Sequence, residues 1–572
     1  MDYTIKIGGE AGQGIQTVGD TLAHIFARAG YYVFTHQDYE SRIRGGHNFY
    51  QIRISDKPVS ASRSKVNILV ALDRESITQH EIELADDGHV LYDADFLKET
   101  FDRPNFLNVP LFELALSHGG SKIMANTVAV GAVIGMLGMN PEIMYELVRK
   151  TFKKKGEEVI ISNLKSAQAG YEYARKHCLT CSFMVSGFVS PKLLITGNEA
   201  IGFGAIASGL KFYSAYPMTP STGIFNFVAE NAKDFGIVVE QAEDEIAAVN
   251  MAIGASYAGV RAMTGTSGGG FALMVEGVSL AAMTETPLVI ALAQRPGPAT
   301  GLPTRTEQAD LLFALFAGHG EFPRVLFAPG TPEQAIYLTN KAFDMAEKYQ
   351  ITAIILTDQY LADSQWSYES IDLNKLKYSD YRLRGESLKA LKQYLRHSFT
   401  DTGVSPLAVP GESNHLVVTD SDEHDEEGHI IEDAETRIKM VEKRLFKKLP
   451  LIKREIEPPL IYGEKSADIV LLCWGSNYGI VREVVDELSD KFKIAMLHFS
   501  ELYPFPEDMK WFEMLKNAKI CINIEQNATS QFAKLLRMET GFSINHHINR
   551  FDGRPFTVDE LKEKVYGYIG RL

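Results

Sequence analysis

Apolar positions along this chain repeat in two ways. YTIKIGG (3–9), YYVFTHQ (31–37), NFYQIRIS (48–55), VNILVAL (66–72) and GHVLYDA (88–94) are short apolar or alternating runs, the pattern of strands. Between the first two, GIQTVGDTLAHIFARAG (14–30) places apolar residues three and four apart and stops on a glycine, the pattern of a helix. The same rhythm resumes after residue 190. GIVVEQ (236–241) runs into the apolar helix IAAVNMAIGAS, VRAMTGT (260–266) into GGGFALM, and TPLVIALAQ, RVLFAP and AIILTD read as buried strands. It returns a third time from 466, in ADIVLLCWG, FKIAMLHF and AKICINIEQ, and ends in the helix TVDELKEKVYGYI. Strands alternating with helices predict an α/β protein. The breaks divide it into a first unit over 1–185, a second over 190–375, a connecting region over 376–465 and a third α/β unit over 466–572.

The connecting region departs from the pattern. Residues 396–415 are polar and aperiodic and predict a long loop. Thr419 to Glu435 holds nine acids, and the basic helix RIKMVEKRLFKKLP follows. Asp420-Ser-Asp422-Glu-His424 lacks the glycine and third ligand of a calcium loop, so a solvated acidic loop is expected.

A chain of 572 residues suits several domains, and its 45% hydrophobic and 23% charged content is that of a globular protein. A formal net charge of −15 argues against a nucleic-acid binder. No apolar run approaches the roughly 20 residues of a spanning helix, and MDYTIKIGGEAGQG does not read as a signal peptide, so a cytoplasmic protein without membrane association is expected. Of the four cysteines, Cys178 and Cys181 have CxxC spacing, while Cys473 and Cys521 sit in distant apolar strands. Two ligands fall short of the usual four, so no metal is assigned; the expectation is a pair of linker thiols and two buried ones.

Candidate chemistry gathers where strands meet helices. Gly8-Gly9-Glu-Ala-Gly12-Gln-Gly14 opens the first helix, and Gly12 and Gly14 could cradle a phosphate there or simply make a tight turn. GxxGxG reverses the dinucleotide spacing, and only Asp38 and Glu40 offer a ribose acid, after the strand rather than at its end. Arg42-Ile-Arg44-Gly45-Gly46-His47 could clamp an anion or be a solvated basic loop. In the second unit, Tyr216-Pro217-Met218-Thr219-Pro220-Ser221-Thr222 joins a strand to a helix. Its prolines fix the backbone, so its hydroxyls either face a ligand or cap the helix. Glu240, Glu243, Asp244 and Glu245 precede an apolar helix. Three suit a helix N-terminus, but the last would face the core, where a carboxyl group gains a raised pKa and could exchange a proton with a ring nitrogen. Ser267 and Gly268 open another helix in a run of glycines, and Arg295 and Arg305 occupy a Pro- and Gly-rich loop suited to a substrate carboxylate.

Taken in order, these segments resemble the 2-oxoacid:ferredoxin oxidoreductases, in the form of an alpha subunit with a gamma-type domain fused at its N-terminus. GGEAGQG…RIRGGHN resembles the gamma-type domain and SAYPMTPST the family's YPITP signature, with Met218 for Ile. QAEDEIAAVNMAIGASYAG and GTSGGG are similar to the pyrimidine-binding domain, 466–572 to the transketolase C-terminal domain, and SDEHDEEGHIIED with its basic helix to the 2-oxoglutarate branch. The resemblance implies thiamine diphosphate shared with a beta subunit, coenzyme A as substrate, ferredoxin as electron partner and an (alpha-beta)2 assembly. It implies decarboxylation of 2-oxoglutarate to succinyl-CoA, or the same chemistry on pyruvate, branched or aryl 2-oxoacids; a non-catalytic assembly subunit is the other reading. Glu245-Ile-Ala247-Ala248 with Gly254 matches the activating-acid spacing of thiamine enzymes, so the resemblance makes Glu245 the activating acid and Glu243 the fallback. It places Tyr216, Pro217, Met218, Ser267 and Gly268 at the cofactor. Thr219 becomes a substrate-contacting hydroxyl, Arg305 the carboxylate partner and Arg295 its alternative. The family's GDG…N diphosphate motif and a ferredoxin cysteine set are missing, so Mg2+ and a [4Fe-4S] cluster are expected in the beta subunit.

Overall fold

The computed structural model describes residues 1–41, 45–186 and 190–570, so Arg42 and Arg44 of the RIRGGHN segment lie outside the described residues. The chain forms two compact units. The first comprises Met1–Ile195 with Ser364–Ile371 and Thr557–Glu560; the second holds the remainder.

The first unit is built on an eight-stranded sheet in the order Phe106–Asn108, Leu84–Tyr92, Val66–Ala71, Asp2–Ala11, Gly45–Ser55, Tyr32–Asp38, Gln365–Tyr368, Leu193–Thr196. Asp2–Ala11 pairs parallel with Val66–Ala71 and antiparallel with Gly45–Ser55, so the sheet is mixed. Helix Ile15–Arg28 buries Ile15, Val18, Leu22 and Phe26, the stripe its spacing predicts. Gly14 caps it at φ 85 in the left-handed region, where glycine is favoured, and a Cβ there would run into the Asn126 amide. Gln365–Tyr368 lies in the second sequence segment but joins this sheet, because Trp366 pairs with Phe34 and their rings meet edge to face at 5.1 Å.

Cys178 and Cys181 are joined by a disulfide at the end of helix Glu157–His177, which corrects the expectation of free linker thiols; Cys473 and Cys521 are buried.

The second unit holds two large sheets and, among the described residues, a short parallel pair, Arg382–Leu383 with Leu407–Ala408. The larger runs Glu501–Tyr503, Arg324–Phe327, Thr352–Asp358, Leu288–Gln294, Arg261–Thr266, Leu210–Ala215, Val238–Gln241, parallel except at Glu501–Tyr503. The smaller runs Leu460–Gly463, Ile494–Phe499, Ile469–Trp474, Ile520–Glu525, His546–Asn549, parallel except at its first strand. Both contribute to one hydrophobic core, in which Leu292 and Leu356 join Trp474, Leu497 and Phe532. Buried parallel strands read as continuous apolar runs, which is why VIALAQ and VLLCW are legible without alternation.

The acidic stretch is only partly solvated. Glu423 takes paired hydrogen bonds from Arg444 at 2.8 and 2.6 Å and another from Arg437, and His424 beneath it is fully buried. The helix Ala434–Val441 continues through a π-helical turn, Glu442–Lys447, into Lys448–Glu455. That turn brings Lys443 and Lys448 onto the buried carboxylate of Glu285, Lys443 at 2.6 Å. Among the described residues, no helix is long and apolar enough to cross a membrane.

Candidate active site

Four strands of the larger sheet end side by side, and the residues singled out in the second unit leave them at their carboxyl ends. Open α/β sheets bind ligands there. Tyr216–Thr219 follow Ala215, Glu245 follows the strand ending at Gln241, Ser267 follows Thr266, and Arg295 follows Gln294.

The YPMTP segment is held from several sides. Arg295 Nη1 donates to the Thr219 carbonyl at 2.8 Å, Asn198 Nδ2 donates to the Pro220 carbonyl at 3.0 Å, and Ser267 Oγ donates to Met218 Sδ at 2.6 Å. Ser221 precedes helix Thr222–Phe235, but its hydroxyl turns back to the Met218 carbonyl at 2.7 Å and caps nothing. Thr219 is left half-buried and Tyr216 exposed at the rim. Arg295 therefore fixes the loop through its backbone.

Helix Glu245–Tyr257 starts at Asp244, whose side chain accepts from Ala247 N at 2.7 Å. With Asp244 satisfying the helix end, Glu245 is free to turn inward. It is 3% exposed, and its Oε1 is buried without a hydrogen-bond partner, whereas Glu243 is exposed. Burial raises the Glu245 carboxyl above the ordinary range; its own backbone N–H opposes this, and Asp244 adds to it. Any Cβ on Gly270 would meet Glu245 Oε1 and Thr266 Oγ1, so the GTSGGG turn needs glycine there for close approach. A buried carboxyl lacking one partner, with a raised pKa and facing a glycine-lined turn, fits a ring nitrogen that supplies that partner.

A second acid pair was not singled out by sequence. Asp310 Oδ2 is buried and unpartnered against Gly268, and burial pushes Asp310 up to about 6. Glu307, three residues earlier, is pushed up to about 7 by burial and by Asp310. The only sequence signal was TEQAD following the Arg305 loop. That loop is bolted to the smaller sheet through Gln308, whose Nε2 donates to Trp474 O at 3.0 Å and whose Oε1 accepts from Asn477 Nδ2 at 2.8 Å and Gln526 N at 3.1 Å. Arg305 lies half-buried on it, its stem beside Gly553. Gly12 and Gly14 belong to the other compact unit, where Gly12 lines a pocket of about 280 Å³ with Lys122, Phe96 and Phe112 and Gly14 abuts Asn126.

Comparison with known proteins identifies the family. Residues 203–443 match the family described as pyruvate flavodoxin/ferredoxin oxidoreductase, thiamine diphosphate-binding, residues 4–173 match pyruvate ferredoxin/flavodoxin oxidoreductase, and residues 467–561 match pyruvate:ferredoxin oxidoreductase core domain II. Fold and matches together define an α/β oxidoreductase with a thiamine-diphosphate-binding domain. The 2-oxoacid:ferredoxin oxidoreductase alpha subunit of a Sulfolobus species is 34% identical over 636 residues, covering 100% of this chain and 97% of that one. The Mycobacterium tuberculosis 2-oxoglutarate oxidoreductase subunit KorA is 28% identical, covering 100% and 92%. The 2-oxoglutarate:ferredoxin oxidoreductase of Magnetococcus marinus, solved with 2-oxoglutarate, coenzyme A and succinyl-CoA bound, superposes with a TM-score of 0.91 at 31% identity over 99% of each chain. The chain belongs to the 2-oxoacid:ferredoxin oxidoreductase alpha subunits.

Proposed function

We propose that this chain supplies the pyrimidine-side half of the active site of a 2-oxoglutarate:ferredoxin oxidoreductase, working with a beta subunit that brings Mg2+, the diphosphate site and an iron–sulfur cluster, and passing electrons to ferredoxin in the cytoplasm. The single observation that carries the thiamine assignment is the buried, unpartnered Glu245 Oε1 over Gly270. When bound, thiamine diphosphate supplies the carbanion chemistry that cleaves the carboxylate from a 2-oxoacid. In this reading Glu245 holds a proton opposite the aminopyrimidine, and Thr219, positioned by Arg295, offers its hydroxyl to the substrate. Arg305 pairs with a substrate carboxylate, and the Gln308 lock keeps its loop in place. Gly12 and the helix N-terminus behind it suit a phosphate-bearing ligand such as coenzyme A, with Lys122 adding charge and Phe96 and Phe112 an apolar wall.

The preference for 2-oxoglutarate over pyruvate, branched or aryl 2-oxoacids rests on the acidic segment with its basic helix and on the KorA relative. Co-purifying the partner chain and comparing kcat/KM across these acids tests it; a strong preference for pyruvate would reject it.

Arg305→Lys should raise KM for the preferred 2-oxoacid by about tenfold or more while thiamine diphosphate affinity holds, because an ammonium cannot copy the bidentate guanidinium–carboxylate fork. Unchanged KM for every acid would move the role to Arg295 or to the partner. Purified alone, the chain should be colourless and catalytically silent, since two of its four cysteines are buried in separate strands and two are paired in a disulfide. An ultraviolet–visible spectrum decides this, and a brown protein with thiol-bound iron would refute it.

A further inference from the structure

Cys178 and Cys181 close a disulfide at the carboxyl end of the 21-residue helix Glu157–His177, and His89, on strand Leu84–Tyr92, faces them. The His89 ring nitrogen and the two sulfurs all lie within 4.8 Å of one another. Neither cysteine takes part in the chemistry of the site in the second unit.

The hydrogen bonds around His89 set its tautomer. Nδ1 lies 2.9 Å from the Asp87 carbonyl, which can only accept, so in the neutral ring Nδ1 carries the proton and Nε2 presents its lone pair. Nε2 lies 2.9 Å from Thr180 Oγ1, and the same hydroxyl lies 2.9 Å from the Pro104 carbonyl. Thr180 has one proton for two acceptors, so one of them goes without a full hydrogen bond. A histidine held by Nδ1–H on a backbone carbonyl, with its ring beside two sulfurs, has the arrangement of a metal ligand supported from behind. The ring is 5% exposed and lies edge to face on Phe183 at 5.5 Å, so its orientation is fixed; both sulfurs are half-buried.

We propose that Cys178, Cys181 and His89 form a redox-gated site for a borderline-soft divalent cation, zinc above all, which opens when the disulfide is reduced. A dithiol supplies the two electrons and two protons. The S–S bond breaks, two thiols form, and the dithiol closes to its own disulfide. Zinc then displaces the two thiol protons and takes two thiolates and the His89 Nε2, leaving its fourth position to water. Tetrahedral geometry asks for sulfurs about 3.8 Å apart and sulfur–nitrogen distances of about 3.6 Å. With the Cα atoms 5.5 Å apart, rotation about χ1 reaches the first without moving the backbone. The negative end of the helix dipole favours a cation at this place. In a reducing compartment the pair stands as thiols, so the site is available there and lost on oxidation. Zinc would also tie two elements that the disulfide does not join, since the disulfide spans 3 residues and His89 lies far upstream.

The test uses the full chain, reduced with a phosphine under nitrogen, freed of reductant and titrated with Zn2+ against a chromophoric chelator. Thiols are counted in denaturant in parallel. Reduction should raise the count from two to four, and the reduced chain should take up one zinc per chain and melt at a higher temperature with it. The oxidised chain should take up none. Cys178→Ser and Cys181→Ser, both at half-exposed positions, should each abolish uptake, and His89→Gln should weaken it at least tenfold while its circular dichroism stays that of the parent. A reduced chain with four counted thiols and no zinc, or uptake unchanged in Cys178→Ser, overturns the proposal. So does a pair that the phosphine cannot reduce.

Discussion

Glu245→Gln should leave the complex assembled and slow turnover by about 10²–10⁴-fold, the usual contribution of a proton-transfer group. Glutamine keeps the shape and a carbonyl oxygen at the Oε1 position but cannot hold or release a proton there. The competing account treats Glu245 as one more acid at a helix N-terminus, worth about 0.3–1 kcal/mol of stability and nothing in rate. The structure weakens that account, because Asp244 already caps the helix and Glu245 turns its side chain into the core. The two accounts separate in one experiment. Proton exchange at thiamine C2, followed by NMR in the assembled complex, should collapse in Glu245→Gln with little change in melting. Normal exchange in Glu245→Gln together with collapse in Glu243→Gln would transfer the role to the exposed neighbour.

Much of the candidate site is legible in the sequence because its strand ends are punctuated by residues with strong local rules. Prolines 217 and 220 and the glycines of GTSGGG mark the strand ends without any knowledge of tertiary structure. The sequence favours Glu245 over Glu243 by the spacing of Glu245-Ile-Ala247-Ala248 and Gly254, and helix phase supports the same proposal: Asp244 is the cap, and Glu245, the first residue of the helix, has its side chain near Gly270. Features carried by distant partners were not legible. Nothing local marks Asp310, which becomes an elevated acid only through its burial beside Gly268, or Gln308, whose partners lie more than 160 residues away. Trp366 joining the first sheet across more than 300 residues is likewise a long-range pairing that periodicity cannot report. The acidic stretch was misjudged in part for the same reason: composition describes a solvated loop, but Arg444 arrives from a helix 21 residues on and pins Glu423.

Glu285 should carry the largest single stability effect in the second unit. It is 1% exposed, and its carboxylate is met by Lys443, Lys448 and His397, themselves almost wholly buried. Burial alone would raise its pKa, but the two ammonium groups and the His397 hydrogen bond outweigh it and hold the carboxyl well below the usual range. Burial lowers Lys443 to about 8 against the pull of Glu285, and drives His397 to about 2, so that its neutral ring donates Nδ1–H to the carboxylate. Removing one partner of a buried ion pair leaves an uncompensated charge and costs about 3–5 kcal/mol, so Glu285→Gln should lower the unfolding free energy measured by denaturant titration by that amount. Since the carboxyl is depressed in the folded state, its contribution is fully present above the unfolded value of about 4.3 and is lost as pH falls below it. Glu285→Gln should therefore flatten that part of the acid stability profile. The triple variant Glu285→Met, Lys443→Met, Lys448→Met removes all three charges together, and apolar replacement of a buried ion cluster is often neutral or stabilising, so it should recover most of what Glu285→Gln loses. A triple variant no more stable than Glu285→Gln would show that packing of the Lys443 and Lys448 stems, rather than charge pairing, holds this region together.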